Sequence, residues 1–104
     1  MENKDFEITE TKSREGSVFI IKGRVNTSNA NTFLYTLEDA LKGGKTNIIL
    51  NMSQVEFLSS SGIRVILKMY KQIKETGGTF FIKEPSENVR NVLGLVALEE
   101  MLVK

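Results

Sequence analysis

The chain has 104 residues, 40% of them hydrophobic, and its 14 basic and 13 acidic side chains leave a net charge of +1. A chain of this length and composition predicts one domain over residues 1–104. The balanced charge does not favour nucleic-acid binding. No apolar run approaches the ~18 residues of a membrane span. Histidine and cysteine are absent, which excludes Ser-His-acid hydrolases and zinc–thiolate sites, so we expect no enzyme, metal or cofactor.

The N-terminal part of the chain predicts a β-hairpin. Residues 1–5 contain no apolar run of the signal-peptide type, so we expect a cytoplasmic protein. Alternation over roughly residues 5–12 and the apolar run at 18–21 predict two strands, with turn residues at 14–17 between them. Gly23 is expected to end the second strand.

A first helix is predicted after this hairpin. Thr27 or Ser28 is expected to cap it, and Gly43-Gly44 to end it. Apolar residues recur on one face at helical spacing, namely Ala30, Phe33, Leu34, Leu37 and Leu41.

The middle of the chain predicts a buried strand, a serine cluster and a second helix. The strand is expected over Asn47–Asn51, apolar on both faces, and the cluster is Ser59-Ser60-Ser61. The helix is expected to run to Thr76 before Gly77-Gly78. Its apolar stripe is predicted to comprise Ile63, Ile66, Leu67, Tyr70 and Ile73, with Val65 and Met69 also favoured for the core.

The C-terminal part predicts a fourth strand over residues 79–82 and a third helix capped by Ser86. The helix is expected to bury Val89, Val92, Leu93 and Val96, and the segment 98–103 is open between a short helix and an edge strand. The order β-β-α-β-α-β-α predicts an α/β fold: a mixed sheet of four or five strands with helices mainly on one side. Functional residues are then expected at the carboxyl ends of the strands.

The serine cluster lies at such an end and has two interpretations. One serine can cap the helix by accepting a backbone N–H bond, and this purely structural role is the simpler interpretation. The alternative is an exposed hydroxyl that a kinase modifies, since the helix N-terminus stabilises an added phosphate while a docking partner is repelled.

Basic side chains on the second helix also have two interpretations. Arg64, Lys68, Lys71 and Lys74 form either a solvated flank or an electrostatic docking surface for an acidic partner. The glycines form no phosphate-binding loop, which argues against a nucleotide-binding domain or enzyme that uses the helix N-terminus as an anion site.

The stretch from Val55 to Gly78, with Gly23 and Asn47–Met52 before it, resembles the anti-sigma-factor antagonists of the bacterial STAS (sulfate transporter and anti-sigma antagonist) family. The resemblance implies a STAS-like domain over residues 1–104. It further implies a non-catalytic protein that binds an anti-sigma factor, itself a serine kinase, and thereby releases a sigma factor. The resemblance also implies that phosphorylation ends binding and that a phosphatase reverses it, and we expect a monomer or weak dimer.

Position by position, the family pattern Asp-Ser-[Ser/Thr]-Gly falls on Ser59-Ser60-Ser61-Gly62. The resemblance therefore implies phosphorylation of Ser60, with Ser61 as the second choice. The residues implied in partner binding are Asn26, Thr27, Ser59, Ser60, Ser61, Gly62, Arg64, Val65 and Lys68.

Two positions depart from the family pattern by losing a negative charge. Ser59 replaces the acid before the phosphorylated serine, and Asn26 stands where many members carry Asp. A kinase that reads this acid would not accept the chain. The alternative function is a STAS interaction module without a phospho-switch, in a signalling assembly or a transport complex.

Overall fold

The protein has an α/β fold in which three helices accompany a four-stranded sheet, as seen in a computed structural model that describes residues 6–14 and 16–95. The elements are β1 (Phe6–Ser13), β2 (Gly16–Val25), α1 (Ala30–Lys42), β3 (Asn47–Leu58), α2 (Ser60–Glu75), β4 (Thr79–Lys83) and α3 (Glu87–Leu95). The predicted order is confirmed. The expected element at 98–103 lies outside the described residues.

The sheet is mixed, with the strands side by side in the order β1-β2-β3-β4. β1 is antiparallel to β2, whereas β3 is parallel to both β2 and β4. The parallel pairing places Val18 opposite Ile49 and Ile20 opposite Asn51. The carboxyl ends of β2 and β3 therefore meet at one edge of the sheet.

Both central strands are longer than predicted. Gly23 does not end β2: its φ of +94° is one that glycine adopts without strain, and the strand continues to Val25. β3 continues past Asn51 to Leu58 through two register shifts against β2. Each shift adds one residue to β3, as in a β-bulge, so the spacing of its buried side chains rises from two to three. These side chains are Ile48, Leu50, Met52, Val55 and Leu58.

One hydrophobic core joins the sheet to the helices, and every element contributes to it. Its largest fully buried side chains include Phe19 of β2, Phe33 of α1 and Ile66 of α2. Within the part of the chain that the structure describes, no helix combines the length and apolarity needed to cross a membrane.

The buried stripe of α2 is rotated from the predicted one. Ile63, Leu67 and Tyr70 are only partly buried and pack against the edge of the core. The prediction for Val65 and Met69 is confirmed, since both are buried. The stripe comprises Gly62, Val65, Ile66, Met69 and Ile73.

The structure corrects the predicted cap of α1 and confirms the predicted end of α1 and the predicted cap of α3. Neither Thr27 nor Ser28 caps α1, because Asn29 is the residue that precedes it. Gly43 ends α1 as predicted. Ser86 caps α3, since its Oγ accepts a hydrogen bond from the Val89 N–H at 3.2 Å. Val89 is buried as predicted, while the side chains of Val92, Leu93 and Val96 lie outside the described set.

Candidate partner-binding site

The candidate site is built on the joined ends of β2 and β3. The Ser59 N–H donates to the Val25 carbonyl at 2.8 Å, which fixes the start of α2 beside the end of β2. Two short segments project from this junction: the loop over residues 26–29 and the first turn of α2.

Ser59 is the residue that caps α2. Its backbone is extended, and its Oγ accepts a hydrogen bond from the Gly62 N–H at 3.1 Å. Ser60 is the first helical residue and is exposed, whereas Ser61 is half-buried. Within the described residues the Ser60 hydroxyl makes no hydrogen bond. The cap therefore uses Ser59, which the sequence alone did not single out, and the Ser60 hydroxyl is accessible, as predicted.

Gly62 allows α2 to approach the strand ends closely. A Cβ added there would lie 2.6 Å from Leu58 Cδ1 and 2.8 Å from Val25 Cγ1, both closer than real Cβ contacts. Gly62 is also buried. Its role in this structure is to let helix and strands pack, so the partner-binding role predicted for it would be indirect.

The loop over residues 26–29 is held by two asparagines. Asn26 Oδ1 accepts hydrogen bonds from the Ser28 N–H at 3.0 Å, the Ser28 hydroxyl at 2.7 Å and the Asn29 N–H at 3.2 Å. Asn29 is 1% exposed; its Oδ1 accepts from the Asn26 N–H at 2.9 Å and its Nδ2 donates to the Arg24 carbonyl at 2.8 Å. This reciprocal bonding holds Thr27 at the exposed tip.

Sequence reasoning missed Asn29. A usable signal was present, because asparagine immediately before a helix commonly bonds local backbone groups and turns the chain. Its side chain acts on the strand before it rather than on the helix after it, since no side-chain cap bond is formed to α1.

The two segments meet through hydroxyl groups. Thr27 Oγ1 lies 3.4 Å from Ser61 Oγ, across 34 positions of sequence. The structure thus brings Asn26 and Thr27 beside the serine cluster, as expected for loops at adjacent strand ends.

A groove of about 300 Å³ runs from this junction between α1 and α2. Arg64 and Lys68, both exposed, stand along its α2 side. Three residues that sequence reasoning did not assign to the site, Ala30, Asn31 and Leu34, come from α1. The full lining comprises Thr27, Ala30, Asn31, Leu34, Ser61, Arg64, Val65 and Lys68.

The two cations of the groove differ in their surroundings. Lys68 Nζ lies 3.7 Å from Glu38 Oε2, which also accepts a hydrogen bond from Gln72 Nε2 at 3.0 Å. Among the described residues Arg64 has no ion-pair partner. Lys71 and Lys74, which belong to the same predicted basic flank, do not line the groove.

The chemistry of the site is that of a binding surface. Its lining offers hydroxyls, an amide and two cations above an apolar floor, and none of the described residues that line it is a carboxylate. Over residues 6–14 and 16–95, no group of three side chains is suited to hold a metal ion. The Ser60 hydroxyl has no hydrogen-bonded base among the described residues, so the arrangement does not form an activated nucleophile.

Comparison with known proteins finds relatives that are both named as candidate anti-sigma factor antagonists. A Thermotoga maritima protein, named as a candidate anti-sigma factor antagonist, is 33% identical over 79 residues, which are 75% of this chain and 70% of that protein. The candidate anti-sigma factor antagonist BtrV of Bordetella bronchiseptica is 29% identical over 72 residues. That match covers 69% of this chain but only 62% of BtrV, less than two thirds of its length.

Solved structures share the fold. The anti-sigma factor antagonist SpoIIAA in its unphosphorylated form superposes with a TM-score of 0.81 at 22% identity, over 94% of this chain and 85% of that one. SpoIIAA of Bacillus in its phosphorylated form gives a TM-score of 0.75, over 94% and 88% of the two chains. At this identity the likeness is one of fold. The sequence itself matches the STAS domain over residues 7–104, and the chain therefore belongs to the STAS domain family.

Proposed function

We propose that this protein is an anti-sigma factor antagonist: it binds an anti-sigma factor and thereby releases a sigma factor. The observation that carries the proposal is the Ser60 hydroxyl at the start of α2, which is exposed and makes no hydrogen bond to the described residues. It stands in a surface formed with Thr27 and Ser61, within a domain whose relatives are named as candidate antagonists. The binding is non-catalytic and requires no cofactor.

The proposed switch is phosphorylation of Ser60 by the anti-sigma factor itself, acting as a serine kinase. A phosphate adds roughly −1.5 to −2 charges. The N-terminus of α2 stabilises that charge through its free N–H groups and its dipole, so the fold tolerates the phosphate. A partner seated on Thr27 and Ser61 would have to desolvate the phosphate, and binding would end. A phosphatase would restore the binding form.

Ser61 is the second choice for modification. It is half-buried and its hydroxyl faces Thr27 at 3.4 Å, which leaves a kinase less room than at Ser60. The existence of SpoIIAA in a phosphorylated form supports the idea that this fold accommodates phosphorylation. We propose that the protein works in the cytoplasm as a monomer or weak dimer.

The test uses the anti-sigma factor kinase encoded in the same genome. Purified chain is incubated with that kinase and ATP, the phosphate is located by mass spectrometry, and binding is measured by calorimetry with each form. We expect binding of the unphosphorylated form, one phosphate on Ser60, and loss of binding once it is added. Absence of binding by the unphosphorylated chain contradicts the antagonist function; phosphate on Ser59 or Ser61 alone contradicts the assignment to Ser60.

A second candidate function is a STAS interaction module without the switch, in a signalling assembly or a transport complex. The observation that favours it is the pair Asn26 and Ser59, which leaves the site without the acids of the family pattern. Tight partner binding with no phosphate incorporated would support this module.

A further inference from the structure

The groove between α1 and α2 is positively charged at the end that adjoins the serine cluster. We propose that it is the docking site for an acidic segment of the partner protein, with a carboxylate of that segment paired to Arg64. This inference rests on the proposed function for the class of partner and adds the chemistry by which the partner is recognised.

The distribution of charge locates the docking point. Glu38, held by Gln72 at 3.0 Å, already lies beside Lys68 at the far end of the groove. Arg64 is exposed and has no ion-pair partner among the described residues. A guanidinium presents a planar fork of donors that matches a carboxylate with two parallel hydrogen bonds. Arg64 is therefore both the uncompensated cation of the groove and the group best suited to bind a carboxylate.

The lining of the groove suits a short protein segment. Its volume is about 300 Å³, within the roughly 300–1,000 Å³ usual for clefts that bind one ligand group. Its floor is apolar and comes from Ala30, Leu34 and Val65. The complementary feature is a carboxylate beside a small or branched apolar side chain, the pattern of one turn of an acidic amphipathic helix.

The position of Arg64 links this docking point to the switch. Arg64 follows Ser60 by four residues on α2, so the two side chains are neighbours on the helix surface. A phosphate on Ser60 is thereby placed within reach of the cation that the partner's carboxylate needs. Phosphorylation would then weaken docking in two ways: it adds negative charge, and it occupies Arg64.

The experiment measures binding to the same anti-sigma factor kinase, without ATP, by calorimetry and stopped-flow at several salt concentrations. Arg64→Glu is expected to weaken binding at least about tenfold, because it places like charges together in a desolvated contact. Arg64→Lys should retain part of the affinity, since it keeps the charge but loses the fork. Lys68→Glu should have a smaller effect, because Glu38 already offsets Lys68.

Lys71→Glu is the matched control: it makes the same charge change on the same helix, at an exposed residue that does not line the groove. Its affinity should stay within about twofold of wild type, as for a charge outside the contact. Equal weakening by Arg64→Glu and Lys71→Glu overturns the proposal in favour of general electrostatic attraction. No weakening by Arg64→Glu overturns it while the antagonist function stands, and failure of the wild-type chain to bind overturns both.

Discussion

Thr27 and Ser61 face each other with their hydroxyl oxygens 3.4 Å apart, although 34 positions separate them in the sequence. Thr27 follows β2 and Ser61 follows β3. The ends of these neighbouring strands are joined by the hydrogen bond from the Ser59 N–H to the Val25 carbonyl at 2.8 Å. Loop and helix start therefore form one surface. A partner that contacts either segment also meets the other.

The first prediction concerns Ser60. Because Ser59 rather than Ser60 caps α2, Ser60→Ala should change the free energy of unfolding by no more than about 0.5 kcal/mol. It should bind the anti-sigma factor in the presence of ATP as tightly as in its absence. Ser60→Asp should fold, since an anion at a helix N-terminus is favourable by about 0.3–1 kcal/mol, yet bind more weakly. Urea unfolding and calorimetry measure the two effects, and equal affinity of both variants for the partner contradicts a charge switch.

The second prediction separates capping from kinase recognition at Ser59. Ser59→Ala removes the bond to the Gly62 N–H and should lower the free energy of unfolding by about 0.5–2 kcal/mol. Ser59→Asp retains an oxygen that caps, so stability should be close to wild type. It also restores the acid of the family pattern, and the rate of phosphate transfer to Ser60 should rise. A transfer rate that does not rise in Ser59→Asp would show that the kinase does not require this acid.

The third prediction concerns the loop over residues 26–29. Asn26→Ala removes an oxygen that accepts three hydrogen bonds, while the Asn29 N–H keeps the Asn26 carbonyl as an acceptor at 3.3 Å. The free energy of unfolding should fall by about 0.5–1.5 kcal/mol. Asn26→Asp keeps the acceptor and should be nearly as stable as wild type. Thr27→Ala, at the exposed tip of the same loop, is the control, with an expected change below about 0.5 kcal/mol.

The fourth prediction concerns the packing of α2 on the strand ends. Gly62→Ala forces a Cβ against Leu58 and Val25, and such overpacking typically costs about 1–3 kcal/mol. Gly43→Ala is the matched control, because its Cβ would lie 3.4 Å from the Asp39 carbonyl oxygen in ordinary contact. Thermal unfolding of both variants gives the comparison. A Gly62→Ala variant as stable as Gly43→Ala would mean that the helix can shift freely on the sheet.

The fifth prediction tests whether the switch acts partly through Arg64. In a double-mutant cycle of Ser60→Asp and Arg64→Gln, the losses of binding free energy should not add, with a coupling of about 0.5–3 kcal/mol. Coupling is expected because Arg64 neighbours Ser60 on the helix. Arg64→Gln removes the cation with which the carboxylate of Ser60→Asp would pair. The same cycle with Lys71→Gln serves as the control and should be additive. If the losses in the Arg64 cycle add, charge repulsion alone accounts for the weaker binding of the partner by Ser60→Asp.

Much of the architecture was predictable because the periodic signals are strong. The apolar residues Ile48–Leu50 within the predicted strand Asn47–Asn51 located the first half of β3, and the paired glycines after both long helices located the ends of α1 and α2. The second half of β3 was not predictable from alternation. Its two register shifts space Met52, Val55 and Leu58 by three residues, a spacing that no regular strand shows.

The orientation of α2 illustrates a different difficulty. The helix carries enough apolar residues that two overlapping stripes satisfy helical periodicity. The choice between them depends on Gly62, whose close contact with Leu58 and Val25 turns that side of the helix inward. Periodicity cannot register this effect, because a glycine contributes no apolar side chain.

The location of the site could be predicted from the sequence, but the roles and contacts of its side chains could not. The rule that functional residues gather at strand ends placed Asn26 and Thr27 beside the serines. The groove depends on which faces of α1 and α2 meet, so the contribution of Asn31 required the structure. The division of roles between Ser59 and Ser60 likewise depends on the helix beginning at Ser60, a boundary that three adjacent hydroxyls cannot define.

The loop and the helix cap share a property that bears on how such proteins diverge. Asn26 and Ser59 each act through an oxygen that accepts backbone N–H bonds, and an aspartate supplies the same oxygen. The net charge of the surface can therefore change by one or two units at these positions while its shape is preserved. Under the proposed function, two chains that differ only at these positions would present the same surface shape with different charge, and would therefore prefer partners of different charge.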